Sequence, residues 1–283
     1  MSQVSVRHPI ANTLNYVGLI GSTNGLICIS LDKSVCIYNP ITRIYNMVYG
    51  GFSRLHPYHV AYGFGYDMDS DDYKIVAITN FDKRVKVYSL KTGLWEKKKI
   101  VYPAERTPSK GIFLNGYIHW MDPVQDDLNI VSFDVHMETF GQLATPAYND
   151  GRKMLHLDIL GERLSMLCNY TQNYVMDLWV MQVYGSSDSW TRLASIAYPE
   201  NDGWMRFWKT LWTSDDGKIL LCFGHSCYLY DCIHGSLTFV IDTGNSSKLS
   251  SFDESLVSPI GPGIRYRLRS SKAKSKIGET SSI

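Results

Sequence analysis

The stretch "YSLKTGLW", Tyr88–Trp95, opens on an aromatic residue, turns in the middle and closes on another aromatic seven positions on. The same eight-residue frame stands at Tyr38–Tyr45 ("YNPITRIY") and Phe133–Phe140 ("FDVHMETF"). With one aliphatic end it stands at Val183–Trp190 ("VYGSSDSW") and Tyr230–Leu237 ("YDCIHGSL"). The starts are separated by steps of about 45 to 50 residues, a period that marks propellers and repeat arrays. Ahead of each frame lies an apolar β-type run: "GLICISL", "YKIVAIT", "GYIHWM", "RLSMLC", "KILLCF". Each run begins at a turn signal: Asn24-Gly25, Asp71-Asp72, Asn115-Gly116, Gly161-Glu162 and Asp216-Gly217. Asn-Gly and Asp-Gly accept the positive φ that primed hairpin turns need.

The second unit reads as four antiparallel strands in order: "HVAYGFGY", "DYKIVAIT", "RVKVYSL" and "LWEKKKIV". The other four units parse the same way. The frame is then the hairpin between third and fourth strands, its two large residues paired across the ladder. One four-stranded blade cannot bury both faces, whereas a ring of blades can. The expectation is an all-β propeller of about five four-stranded blades over residues 18–260. "FDESLVSP" (Phe252–Pro259) is expected to add a closing strand or part of a sixth blade. Residues 1–17 read as an N-terminal extension and residues 261–283 as a disordered, basic, Ser-rich tail.

Composition agrees with this class. The 283 residues are 45% apolar and 19% charged, ordinary for a globular chain large enough for a substantial core. Aromatics reach 13%, with 19 Tyr, which favours pleated surfaces. A net charge of +1 gives no global field toward nucleic acid or membrane, and neither is expected as a partner. No signal peptide and no apolar run of membrane-spanning length is visible, so a cytoplasmic or nuclear, reducing setting is the expectation. Six Cys in a chain of this length do not suggest a disulfide framework, and Cys28, Cys36, Cys168 and Cys222 read as small core residues.

The repeat residues also carry a family resemblance. "GSTNGLICIS", "IYNPITR", "YGFGYDMDSDDYKIV", "VKVYSLKTGLW", "NGYIHW", "IVSFDV", "LWVMQVYG", "SWTRLASI" and "ESLVSP" resemble the plant F-box-associated interaction domain, from about Gly21 to Pro259. Kelch and WD-repeat patterns fit less well: one Gly pair (Gly50-Gly51) and no Trp-Asp dipeptide occur. The resemblance implies a substrate-recognition module of an F-box-type ubiquitin ligase, which captures a protein for ubiquitination. It further implies a Skp-type adaptor and a cullin, docked through an F-box. Nothing ahead of Gly21 resembles an F-box, so direct adaptor docking is not expected unless an F-box is supplied elsewhere.

Other candidate chemistry is weaker. "DMDSDD" (Asp67–Asp72) opens like a calcium loop, but the sixth position is Asp72 and the twelfth Ile78, where an EF-hand needs Gly and Glu. A polar turn is the expectation. "GHSCY" (Gly224–Tyr228) lacks the second Gly of a nucleophile elbow and the strand-to-helix turn. Cys222, His225, Cys227 and Cys232 alternate along two strands without the spacing of a zinc knuckle and read as thiols. His119 in "NGYIHW" reads as a packing residue with a hydrogen bond. No cofactor is expected. The alternative function is a propeller hydrolase with its site in the central channel, its triad assembled in space.

The expected partner surface follows from the meander. First-to-second and third-to-fourth turns fall on one face of the ring and are short. Second-to-third and inter-blade loops fall on the other face, are longer, and concentrate Tyr, Trp and Arg, the types enriched at interface hot spots. The candidate contact residues there are Arg54, His56, Tyr58, Phe81, Arg106, Tyr148, Arg152, Tyr198 and Trp204.

Overall fold

The computed structural model describes residues 18–32, 34–51, 59–104, 110–121, 129–147, 153–170, 174–198, 208–214, 216–223, 226–242 and 254–261. Twenty strands form five sheets of four. Blade 1 is β1 (Gly18–Thr23), β2 (Leu26–Ser30), β3 (Val35–Tyr38) and β4 (Tyr45–Val48). Blade 2 is β5 (Val60–Asp67), β6 (Asp72–Thr79), β7 (Arg84–Ser89) and β8 (Leu94–Val101). Blade 3 is β9 (Ile112–Leu114), β10 (Tyr117–Met121), β11 (Asn129–Asp134) and β12 (Phe140–Ala144). Blade 4 is β13 (Lys153–Leu160), β14 (Arg163–Tyr170), β15 (Val175–Met181) and β16 (Trp190–Ala197). Blade 5 is β17 (Trp208–Thr213), β18 (Lys218–Phe223), β19 (Ser226–Asp231) and β20 (Ser236–Asp242). The blades close into a ring, a five-bladed β-propeller, with no α-helix among the described residues.

The repeated frame is a capped hairpin. Tyr38 pairs with Tyr45, Tyr88 with Trp95, Phe133 with Phe140, and Tyr230 with Leu237. The Tyr88 and Trp95 rings lie 5.3 Å apart and tilted, and the Phe133 and Phe140 rings 5.1 Å apart and edge-on, both within the range of favourable aromatic pairs. The second frame residue caps the turn. Asn39 Oδ1 accepts from the backbone of Ile41 and Thr42, Asp134 Oδ1 from His136 and Met137, and Asp231 Oδ1 from Ile233 and His234. Ser89 Oγ accepts from Thr92. The sixth residue, Arg43, Gly93, Glu138 or Gly235, has positive φ and donates its N–H back to the second residue's carbonyl. One short side chain and one left-handed residue therefore close each loop and fix the register.

Blade 4 departs from the expected frame. Its paired residues are Met181 and Trp190, and Val183 is exposed in the connection. Gln182 N–H reaches Ser189 carbonyl, and Ser189 Oγ bonds Val183 and Ser186 carbonyls, so the loop is longer and organised by Ser189.

Burial falls from the middle of each blade to its rim. Every residue of β2 and β6 is buried, whereas β8 and β20 are largely exposed. Apolar clusters join neighbouring blades. Leu26 and Ile37 meet Phe64 and Ile75; Val76 and Ile78 meet Ile118 and Trp120; Ile130 meets Leu164 and Met166; Leu167 and Leu178 meet Ile219 and Leu221. The inner strands of blades 2 and 3 approach closely through two glycines. A Cβ on Gly63 would lie 2.9 Å from the Trp120 ring, and one on Gly111 2.7 Å. Gly111 N–H in turn reaches Tyr62 carbonyl at 2.7 Å.

The C-terminal stretch is neither a closing strand nor a sixth blade in its described part. Glu254–Gly261 has no strand and runs as a strap over the turn face of blade 1 toward blade 2. Buried Asn39 holds it, donating from Nδ2 to the carbonyls of Ser255 (2.9 Å) and Val257 (2.8 Å). Ser255 Oγ donates to Asn24 carbonyl at 2.9 Å, and Gly261 lies against Leu90. A second correction concerns the cysteines. Cys222 and Cys227 are direct cross-strand partners on β18 and β19 and form a disulfide, so they are not free thiols. The alternation that sets ligands apart for zinc is what places these two side chains opposite each other.

Candidate functional site: the central channel and the two faces

The inner strands β1, β5, β9, β13 and β17 surround a channel with a cavity volume of about 1320 Å³. Asn24, Met68, Asn115, Gly161 and Thr213, at the ends of the inner strands or in their turns, frame its mouth on the turn face. Charge is sorted along it. Asp69, Asp134 and Glu162 stand at the turn-face end. Lys110 and Lys209 lie near the starts of their inner strands, toward the loop face. Lys110 bridges Tyr62, five residues before Asp67, which puts it roughly 17 Å from the acidic end at 3.3 Å per residue.

Four ionisable groups interact in this interior: Lys110, Lys209, Asp158 and His156. Desolvation, then Lys209, lowers the Lys110 ammonium to about 8 against the pull of Asp158. Burial also lowers His156, with Asp158 opposing and both lysines reinforcing the shift. The Asp158 carboxylate accepts from backbone N–H of Ile159 (3.0 Å) and Thr210 (2.9 Å).

At the acidic end, Asp67, Asp69 and His136 bring ligand-type atoms within 4.8 Å of one another. A cation is already there: Lys74 Nζ lies 3.0 Å from Asp67 Oδ2 and donates to Val135 carbonyl at 2.7 Å. Asp67 also accepts from Ser70 Oγ (2.6 Å) and from backbone N–H of Asp69 and Ser70. Burial opposes its ionisation, but the Ser70 and Lys74 hydrogen bonds outweigh it and hold the carboxyl at about 2. "DMDSDD" is thus a polar turn, as expected, and it ties blade 2 to blade 3 through Lys74, Glu138 and His136.

His119 is fully buried and bonded on both sides. A carbonyl only accepts, so Nδ1–H donates to Ile112 carbonyl (3.1 Å) and Nε2 accepts from Tyr184 O–H (2.7 Å). Burial lowers the ring to about 4, which keeps it neutral. It is a link from blade 3 to blade 4, as a packing role requires. The "GHSCY" segment lies at the β18–β19 hairpin, strand to strand, without the helix of a nucleophile elbow; Gly224 and His225 lie outside the described residues.

Of the nine candidate contact residues, Arg54, His56, Tyr58, Arg106, Tyr148, Arg152 and Trp204 lie outside the described residues. Phe81 is exposed at the β6–β7 turn, its ring 4.8 Å from His59. Tyr198 follows β16 and is half-buried: its hydroxyl donates to Asn169 Oδ1 at 2.6 Å and its ring meets Tyr174 edge-on. Both stand on the loop face by topology, with Tyr198 the more fixed. Sequence reasoning missed Lys110, Lys209 and Asp158. Each is a single charge near an apolar run, and only closure of the ring brings the inner strands of blades 3, 4 and 5 around one space.

A ring of five four-stranded meanders is a scaffold of the β-propeller class. The chain belongs to the F-box associated beta propeller domain family, which matches residues 12–258. It is 30% identical over 246 residues to the F-box/kelch-repeat protein At3g23880 of Arabidopsis thaliana, covering 82% of this chain and 66% of that protein. It is 30% identical to the F-box protein CPR1 of the same plant, covering 72% and 58%, and 25% identical to the F-box protein At4g22390, covering 82% and 66%. The chain thus spans about two thirds or less of these relatives' lengths. Among solved structures, it resembles the extracellular domain of the hybrid two-component system BT4673 from B. thetaiotaomicron, with a TM-score of 0.51 and 10% identity over 83% of this chain and 29% of that one, a likeness of fold alone.

Proposed function

We propose that this chain is the protein-capturing module of an F-box-type ubiquitin ligase subunit: it binds a protein and does no chemistry on it. The family assignment across residues 12–258, with F-box proteins as relatives, carries the reading. A Skp-type adaptor and a cullin join through an F-box, in the cytoplasm or nucleus. The contact surface is the loop face, including Arg54, His56, Tyr58, Phe81, Arg106, Tyr148, Arg152, Tyr198 and Trp204. Long loops on a rigid scaffold, rich in aromatic and Arg side chains, support that choice. So does the position of Lys110 and Lys209 toward the same end of the channel.

The test is affinity purification with quantitative mass spectrometry, comparing the wild type with a variant in which Arg54, Arg106 and Arg152 are all Glu. The expected result is a specific protein enriched by the wild type and lost from the variant, with unchanged melting. Equal capture by a normally folded variant would put the binding face elsewhere.

A further inference from the structure

The interior of the channel holds two cations that the fold does not use. Lys110 and Lys209 both line the cavity. Neither ammonium group has a hydrogen bond or an ion pair with a described residue. Among the described residues, the one carboxylate whose field reaches Lys110, Asp158, is already engaged by two backbone N–H groups. The lysines repel each other, and both are half-buried where they line the channel, with Lys110 desolvated by its surroundings. A structural lysine behaves differently in this same molecule: Lys74 meets Asp67, Glu138 and the Val135 carbonyl at once. Two like charges that act on each other across one channel, with no ion pair to either, weaken a fold unless an anion joins them. The opposite end of the channel is acidic, so the field along the axis drives an anion toward the lysines and away from the turn-face mouth.

We propose that Lys110 and Lys209 form an oxyanion subsite that receives one carboxylate or phosphate group, carried on a side chain of the captured protein. The proposal rests on the protein-capture reading for the source of that group, while the subsite itself rests on the channel. Lys offers a compact charge with three donors, suited to a phosphate or carboxylate without a planar clamp. Desolvation of Lys110 fits a group that regains full charge when an anion arrives.

The test uses the 283-residue chain at constant ionic strength held with chloride. Probes are inorganic phosphate and three capped Gly/Ser decapeptides that differ only in a central phosphoserine, Glu or Gln. Melting is followed for the wild type, for Lys110→Met with Lys209→Met, and for Lys97→Met, an exposed lysine on β8. At ten times its dissociation constant, a probe is expected to raise the wild-type Tm by about 3 °C. Phosphate and the phosphoserine or Glu peptide produce the rise; the Gln peptide does not. Lys97→Met responds as the wild type does. The double variant melts higher than the wild type without anion and gains nothing from any probe.

A double variant that gains as much as the wild type, or a wild type that gains nothing, overturns the subsite. A double variant that melts lower without anion makes the lysines structural and overturns it too. A rise with inorganic phosphate but with neither acidic peptide overturns the protein-borne source. None of these outcomes touches the loop-face test: the arginine variant reads capture, and the lysine variant reads anion binding.

Discussion

Replacing His119 with Gln should flatten the acid dependence of stability between pH 7.5 and 5. The folded ring titrates at about 4, held down by burial, while in the unfolded chain an ordinary histidine titrates at about 6.5. At pH 5 the unfolded chain therefore binds a proton that the folded chain refuses, and stability falls as pH drops below 6.5. Those two values give a loss of about 2 kcal/mol at pH 5 from this one ring, and about 3 kcal/mol once pH is below 4. For a chain of this size, 2 kcal/mol corresponds to roughly 5 °C in Tm. Gln keeps a donor for Ile112 carbonyl and an acceptor for Tyr184 O–H but never takes up the proton. The variant is less stable than the wild type at pH 7.5 and loses less on acidification. The assay is urea unfolding at both pH values in parallel, so that His156, also lowered by burial, contributes equally to both proteins. An identical loss in the two proteins, or a His119 ring signal titrating near 6.5 in the folded state by NMR, refutes the reasoning.

Three further outcomes are expected. Lys74→Met strands the buried Asp67 carboxylate and costs about 3–5 kcal/mol, and adding Asp67→Asn recovers most of it; urea midpoints of the two variants check this, and no recovery refutes the ion-pair account. Gly63→Ala forces a methyl group into Ile118 and Trp120 and costs about 1–3 kcal/mol in thermal unfolding, whereas a neutral result would mean that blades 2 and 3 are looser than their contact implies. Asn39→Asp keeps the acceptor that caps its turn but loses the two donors to Ser255 and Val257, so limited proteolysis should cut the strap while the blades stay intact; an uncut strap would show that Asn39 does not hold it.

The five-fold frame was readable because it is local. Its aromatic ends, its capping Asn, Ser or Asp and its left-handed residue all lie within eight positions, so spacing alone reveals the hairpin. Val183–Trp190 misled because its aliphatic end satisfies the spacing, while Ser189 organises a longer loop and Met181 takes the paired position. The Cys222–Cys227 pair was hidden by the same local logic: residues on two strands look separate until the register sets them opposite. The strap and the channel lysines were out of reach for a different reason. Asn39 and Ser255 are 216 residues apart, and Lys110 and Lys209 sit on different blades, so no periodicity links them. His119 lay between these cases: its packing role was legible in "NGYIHW", but its partner Tyr184 was not.

The Asn39 clasp sets an order on synthesis. Of the five blades, blade 1 leaves the ribosome before the others, and its turn can close at once, since Oδ1 needs only Ile41 and Thr42. The two amide hydrogens of the same side chain find their native acceptors only when Ser255 and Val257 have been translated, 216 and 218 residues later. At about 5–20 residues per second, that is a wait of roughly 10–40 seconds during which Asn39 holds its place without its final partners. A nascent chain stalled before Ser255 carries all five blades and lacks the latch, so it is a natural substrate for chaperones and proteases. A premature stop there leaves every blade encoded and the first of them unfastened.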